Sequence, residues 1–296
     1  MPPDLCNVAE PRTAPYMSAP RKIDFHCHSH FSDGSLAPEE LVRLALQQEV
    51  THLSITDHDT VNAYSRTLEA LAAGEGLSLI TGCELSCQWQ RRNIHIVGLN
   101  MDLHHVGYRQ AMQAQSQARL RRANSICAAL QRLGFDVNLA AVQDLAAPGI
   151  IGRPHFAQYL VETRQMHSLA AAFKRVLGSG KAGDIKTNWP CLETAVDWIT
   201  QAGGVAVVAH PLKYKLTLTK LRGLLADFAA VGGQAMEVVT GHQDPSPTRT
   251  LADLAQRFDL HASAGSDFHR PGQPWAALGH VQPLPDRCQP VWELWS

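Results

Sequence analysis

The chain has 296 residues, 45% of them apolar and 18% charged, with a formal net charge of −1. That length is enough to bury the core of one large α/β domain, the near-neutral charge removes any bulk electrostatic case for nonspecific nucleic-acid binding, and no apolar run approaches the roughly 18 residues of a membrane span. The seven cysteines (Cys6, Cys27, Cys83, Cys87, Cys127, Cys191 and Cys288) form no Cys-x-x-Cys pair, so neither a zinc ribbon nor a disulfide framework is indicated, and small buried thiols in a cytoplasmic protein are expected.

The first twenty residues carry five prolines and no hydrophobic signal core, and read as a disordered leader, with Met17 as an alternative start. Short β-branched and apolar runs then predict strands over residues 22–25, 52–56, 78–81, 93–98, 205–209, 235–239 and 261–264. Helix-like segments separate the first three, including 38–48, where a first-turn proline and Glu39–Glu40 fit a helix start. Segments 195–201 and 251–258 read as helices before later strands. This alternation predicts an α/β chain with a parallel sheet or barrel, and a barrel of seven or eight strands fits best because candidate ligands arrive from nearly all of them.

The rhythm breaks between residues 102 and 190. No strand is expected there, while 108–133 reads as one long helix whose Arg119, Arg121 and Arg122 look like a solvated face. Helical pieces follow at 140–146, 154–163 and 169–177, then a glycine-rich stretch at 178–183. Residues 21–101 and 191–296 therefore read as the metal-binding barrel, and 102–190 as a helical insertion folded over its mouth.

Nine candidate metal ligands fall at or near the ends of these strands. His26 and His28 stand two residues apart in IDFHCHSH, so a strand points both imidazoles to one side. Asp33 follows in a Ser-Asp-Gly turn, and His58 lies in ITDHDT between Asp57 and Asp59, two acids placed to orient it. Glu84 comes after Thr-Gly-Cys, where the glycine would let the chain turn the carboxylate inward. His95 sits inside the apolar NIHIVGL, where an unpaired imidazole is costly to bury. His210 ends AVVAHP, and Asp267 and His269 repeat the two-residue spacing in AGSDFH. A lone HxH or a single core histidine carries little weight. Six imidazoles and three carboxylates together exceed the needs of one catalytic zinc, and the mixed donor set suits Zn, Mn or Fe rather than Ca.

In order, HCHSHFSDGS, ITDHD, GCELS, IHIVGL, AHP and SDFH closely resemble the PHP (polymerase and histidinol phosphatase) family of metal-dependent phosphoesterases, from about Lys22 to His269 with every ligand motif present. The resemblance implies a distorted (β/α)7 barrel with the helical insertion over its C-terminal face, and two or three divalent metal ions, manganese first and zinc or iron as alternatives. It further implies His26, His28, Glu84 and Asp267 on one metal. Glu84 would bridge to a second with His95 and His210, and Asp33, His58 and His269 would hold a third. GRPHFAQYL and HPLKYKL resemble the bacterial TrpH/YciV-like subgroup, which includes nucleoside 3′,5′-bisphosphate phosphatases and exoribonucleases acting from the 5′ end.

The chemistry that follows is in-line attack by a metal-held hydroxide on a phosphate ester, with Glu84 and Asp267 fixing the metals and His210 or His269 as candidate proton donors to the leaving oxygen. Arg153 and His155 in IGRPH, with Lys181 and Lys186, would clamp a second phosphate, although Lys181 reads better as an exposed loop charge. Lys213 and Tyr214 follow His210 at the barrel mouth, and His242 and Arg249 are weaker candidates. The expected substrate is a small nucleotide, the 3′-phosphate of a nucleoside 3′,5′-bisphosphate being removed. The alternative is 5′-to-3′ exonuclease action on short 5′-phosphorylated RNA, and histidinol phosphatase or a metal-dependent amide hydrolase stands further off. No membrane or obligate protein partner is expected.

Overall fold

The computed structural model describes residues 21–186 and 189–295, so the expected leader lies outside the described residues. The first layer is the alternation β1 (Ile23–Cys27), α1 (Pro38–Gln47), β2 (His52–Ile55), α2 (Arg66–Gly74) and β3 (Ser78–Leu79). These strands pair in parallel in the order β1-β2-β3. Helix α1 starts where the sequence says it should, with Pro38 in its first turn and the Glu40 carboxylate accepting from the Ala37 N–H at 2.7 Å. Its buried face, Leu41, Val42 and Ala45, packs with Leu53 and Ile55 of β2.

The second sheet carries β4 (Gly82–Trp89), β5 (Arg92–Leu99), β6 (Val205–Val208), β7 (Ala235–Thr240) and β8 (His261–Gly265) in that order. Here the expectation of a parallel seven-stranded barrel needs correcting. There are eight strands among the described residues, and β5 runs antiparallel to both β4 and β6. The two sheets do not close through continuous ladders; isolated bridges, Cys27 to Phe268 and His58 to Glu84, join their edges. The strand absent from the sequence reading is β4, an eight-residue element that begins where the predicted third strand ends. Its hairpin with β5 turns at Gln90 and Arg91, both with positive φ (46° and 63°), without the Asn-Gly signature that advertises such turns.

The interior between the sheets is filled by Phe25, Val97, Leu99, Val205, Val207 and Ala235, and closed at one end by Val291. A larger core lies outside the second sheet, under α7 (Leu192–Gln201), α8 (Leu218–Ala230) and α9 (Pro245–Arg257).

Between β5 and α7 the chain is helical: α3 (Val106–Arg132), α4 (Leu139–Ala146), α5 (Arg153–Glu162) and α6 (Leu169–Ala172), the last running into a single π turn at Phe173–Leu177. This layer has its own core of Ile126, Leu130, Val142, Phe156, Leu160 and Leu177. Helix α3 corrects a second expectation. Arg119 and Arg122 lie on its buried stripe with Tyr108, Ala111, Gln115, Ile126 and Leu130, and only Arg121 of the three faces solvent. Buried Asp59 explains the first: its carboxylate accepts from Arg119 Nε at 2.6 Å and from Gln115 Nε2 at 2.8 Å, pinning α3 to the loop after β2. No helix among the described residues is long and apolar enough to cross a membrane.

Candidate metal centre

All nine predicted ligands converge on one cluster. His26 and His28 leave the end of β1 with their Nε2 atoms 3.1 Å apart, and with Asp267 they form one group of facing donor atoms. Asp33, His58 and His269 join His28 in a second, while Glu84 faces His26 and His210 on one side and His58 and His95 on the other. Within each group the donor atoms lie within 4.8 Å of one another. Glu84 is the hub: Oε1 sits 2.8 Å from both His95 Nδ1 and His210 Nε2, and Oε2 lies 3.1 to 3.3 Å from His58, His26 and His28. The four groups do not reproduce the expected partition: Asp267 groups with His26 and His28 without Glu84, His95 and His210 fall in separate groups with Glu84, and His28 joins Asp33, His58 and His269.

Local irregularities aim these side chains. The β1–β2 register shifts between Asp24 and Cys27, so His26 lies in a bulge, and β7 shifts beside Glu237; bulges re-aim side chains beside active sites. Two of the candidates, His210 (φ 28°) and Asp267 (φ 54°), hold left-handed backbone conformations, strain that persists only where the surroundings over-determine it. Gly265 lies against His26: a Cβ there would stand 2.3 Å from the His26 Cβ and 2.6 Å from its backbone nitrogen. Gly82 has the same role rather than that of a turn, since its Cβ would meet Ser54 Oγ at 2.1 Å.

The donor set fits cations. Asp33 Oδ1, His58 Nδ1, Glu84 Oε2 and His210 Nδ1 are buried with no hydrogen-bond partner, which is costly unless a charge completes them. Burial weighs against ionising Glu84, but His58, His95 and His26 outweigh it and hold the carboxyl well below the ordinary carboxylate range. Burial and then His269 drive His28 down to about 3, and burial takes His210 to about 4. Those rings are therefore neutral at pH 7, the form that ligates. His26 goes the other way: burial is outweighed by Glu237 and Glu84, which lift it to about 10.

Glu237 is the residue the sequence reading missed. Its Oε1 lies 2.5 Å from His26 Nδ1, and its Oε2 accepts from the His210 N–H at 2.6 Å and the Thr240 hydroxyl at 3.1 Å. It thus turns His26 Nε2 toward the cluster, the usual arrangement of a carboxylate behind a ligand imidazole. The visible signal was a glutamate inside the apolar run AMEVVT. Asp57 and Asp59, by contrast, touch no imidazole. Asp57 accepts from the Ser29 N–H, the Ser29 hydroxyl and the Ser32 hydroxyl, which shapes the loop carrying Asp33.

A cleft of about 390 Å³ opens over the cluster, lined by His58, Glu84, His95, His210, Asp267 and His269 on the barrel side and by Arg153, Asp184 and Lys186 on the insertion side. Lys213 lines it too, its ammonium against Asp267 Oδ2. Tyr214 points its hydroxyl at the His95 backbone, accepting from its N–H at 2.9 Å and donating to its C=O at 3.2 Å, so it fixes the strand that carries His95. His155 is buried and accepts from the Gly152 N–H at 2.9 Å, at the start of α5. His242 is exposed and absent from the cleft lining, as are Lys181 and Arg249. A side chamber reaches from Asp33 and His58 under the insertion to Arg119, Arg122 and Trp189.

Comparison with known proteins agrees with this geometry. The chain is 42% identical over 92% of its length to a 5′-3′ exoribonuclease of Haemophilus influenzae, covering 98% of that protein. It is 37% identical to a 3′,5′-nucleoside bisphosphate phosphatase of Chromobacterium violaceum, over 91% of this chain and 95% of the relative. A solved structure described as an amidohydrolase from Chromobacterium violaceum with bound sulfate superposes with a TM-score of 0.84 at 36% identity, over 92% of this chain and 95% of that one. Residues 24–188 match the PHP domain, and with full-length relatives above 30% identity the chain belongs to the PHP domain family.

Proposed function

We propose that this protein is a divalent-metal-dependent phosphoesterase that removes the 3′-phosphate from nucleoside 3′,5′-bisphosphates. The observation that carries it is the convergence of nine donor side chains on one cluster, four of whose buried atoms (Asp33 Oδ1, His58 Nδ1, Glu84 Oε2 and His210 Nδ1) lack a hydrogen-bond partner. The relative named as a bisphosphate phosphatase supports the substrate class. His26, His28, Asp33, His58, Glu84, His95, His210, Asp267 and His269 would hold two or three cations, manganese first among them. When bound, such cations stabilise charge on a transferring phosphoryl group and acidify water at neutral pH.

The chain's own residues do the rest. Glu84 spans the cluster and fixes the spacing of its halves. Glu237 holds His26, Asp57 holds the Asp33 loop, and Tyr214 holds β5. As metal ligands, His210 and His269 would not carry the proton a leaving oxygen needs, and Lys213 places a cation beside Asp267 at the same cleft. Arg153 and Lys186 face the same cleft from the insertion (residues 102–190), which covers the barrel's active face and supplies substrate contacts. His155 would support Arg153 from within α5, and His242 would act only on a longer ligand. The buried free thiols accord with a cytoplasmic setting.

A second reading, 5′-to-3′ removal of nucleotides from short 5′-phosphorylated RNA, is favoured by the 42% identity to the exoribonuclease. Both need one phosphate anchored and another ester at the cluster. The test is turnover by the manganese-supplemented enzyme of a nucleoside 3′,5′-bisphosphate, its two monophosphates and a 5′-phosphorylated short RNA. Faster release from the bisphosphate than from either monophosphate is the expected result. No hydrolysis of any phosphate ester, with metal shown to be bound, would end the proposal.

A further inference from the structure

The helical insertion roofs only part of the cluster. It bonds to the loop after β1, where the Ile150 N–H donates to the Phe31 C=O at 3.0 Å, to the loop after β2 through Asp59, and to β4, where the Ser86 C=O accepts from Gln115 Nε2 at 2.8 Å. Among the described residues it makes no hydrogen bond or ion pair with the loops after β7 and β8. Any ligand longer than one nucleotide has its free path over those two loops.

That rim carries Trp275, the one exposed aromatic side chain among the described residues, with 62% of its surface in solvent. The ring has no aromatic or cationic neighbour among those residues, yet the backbone beneath it is held at several points. Its C=O accepts from the His242 N–H at 2.8 Å. Gly241 has a φ of 57°, and a Cβ there would stand 2.2 Å from the same oxygen, so only glycine lets the β7 loop approach this closely. Pro274 precedes the ring in a single 3-10 turn, and Ala276 after it is buried. A fastened loop that presents a bare indole is suited to a flat partner arriving from solvent.

Arg270 lies on the same loop, next in sequence to the candidate ligand His269. It is exposed and has no carboxylate within ion-pair distance among the described residues. With Phe268, Gln273 and Pro274 it lines a groove of about 320 Å³ that starts at the Asp267–His269 turn. An aromatic face and an unpaired cation on one loop are the two contacts that single-stranded nucleic acid takes, stacking for a base and charge for the backbone. The groove is continuous with the turn that carries two of the cluster's donors, and its free charge is positive. Both features favour a polyanion over an apolar protein segment.

We propose that the loops after β7 and β8 bind the part of a single-stranded RNA that lies beyond the cut, with Trp275 stacking on one of its bases and Arg270 meeting a backbone phosphate. The proposal rests on the exonuclease reading above and gives it a strand path that a bisphosphate does not use. Because every base has a π face, this surface selects for length rather than for sequence.

The experiment is steady-state kinetics of the full-length, manganese-supplemented protein on three substrates: a nucleoside 3′,5′-bisphosphate, a 5′-phosphorylated tetranucleotide RNA, and the same strand with its last three nucleotides abasic. Trp275→Ala should lower kcat/KM for the tetranucleotide about fivefold or more, mainly through KM, and leave the bisphosphate unchanged. Trp275→Phe, which keeps a stacking ring, should recover most of that loss, and on the abasic strand Trp275→Ala should match the wild type. Arg270→Gln should raise KM for both strands and flatten its dependence on salt, a dependence that Trp275→Ala leaves in place. Unchanged tetranucleotide kinetics in both variants overturns the proposal, as does an equal loss on bisphosphate and tetranucleotide, which would mean that the loop acts on the cluster. Loss of a dimer in sedimentation of Trp275→Ala, with RNA kinetics unchanged, would assign the ring to a second copy of this chain and overturns it too. Turnover of the bisphosphate with none of RNA would remove the proposal together with the exonuclease reading, whereas turnover of neither would strike the phosphoesterase reading itself.

Discussion

Glu237→Gln tests the support behind the metal cluster with almost no change of shape. Glu237 is 1% exposed and faces two nitrogens, His26 Nδ1 at 2.5 Å and the His210 N–H at 2.6 Å. A carboxylate accepts from both, whereas an amide has one acceptor oxygen, so the NH₂ must meet one of the two N–H groups. The variant loses one charge-assisted hydrogen bond, worth about 1.5–3 kcal/mol, and leaves His26 less firmly aimed. Loss of such a partner typically costs 10- to 100-fold in metal affinity or activity, about 1.4–2.7 kcal/mol. Competition titration with a manganese chelator should show that drop, and activity should recover in part as manganese is raised. Unchanged metal affinity in a folded variant would refute the argument that Glu237 orients His26.

Four further outcomes are expected. Asp59→Ala leaves Arg119 as an unpaired buried cation, so thermal or urea unfolding should show a loss of about 3–5 kcal/mol; a loss below 1 kcal/mol would mean water reaches the pair. Gly265→Ala forces a methyl group into His26, and should lower both the melting temperature, by an overpacking cost of about 1–3 kcal/mol, and the metal content measured by elemental analysis. Arg153→Ala should raise KM for the bisphosphate more than for a simple phosphate monoester; equal effects on both would remove Arg153 from substrate recognition. In chelator-treated protein, His28 at about 3 and His210 at about 4 lie below the ordinary histidine value of 6.5. The unfolded chain therefore binds protons that the folded chain refuses, and stability present above pH 6.5 should fall progressively toward pH 3–4, a decline readable in melting temperatures.

The candidate ligands were legible because imidazoles and carboxylates at the ends of apolar runs have few other reasons to be there. The strand under Glu84 was not. In β4, Glu84, Ser86 and Gln88 alternate with Cys83, Leu85, Cys87 and Trp89, but the polar face turns toward the cleft, so what looks like an exposed edge is mostly buried. The antiparallel course of β5 depends on a turn at Gln90–Arg91 that carries no turn residues. Arg119 and Arg122 were misread for a related reason: charge implied solvent, but Arg119 is paired with Asp59, sixty residues away in sequence, and Arg122 is buried over Trp189 with its Nε donating to the Ile185 carbonyl. Glu237 looked like one acid in an apolar strand until His26 was placed beside it.

The bond between Asp59 and Arg119 also bears on how a polymer would be processed. Through that bond α3 is tied to the loop that carries His58, so under the exonuclease reading a strand longer than the cleft would enter through its open side. On that reading, each cut would leave a fresh 5′-phosphate that must be held in place before the next, within a layer that Asp59 and Arg119 keep fastened.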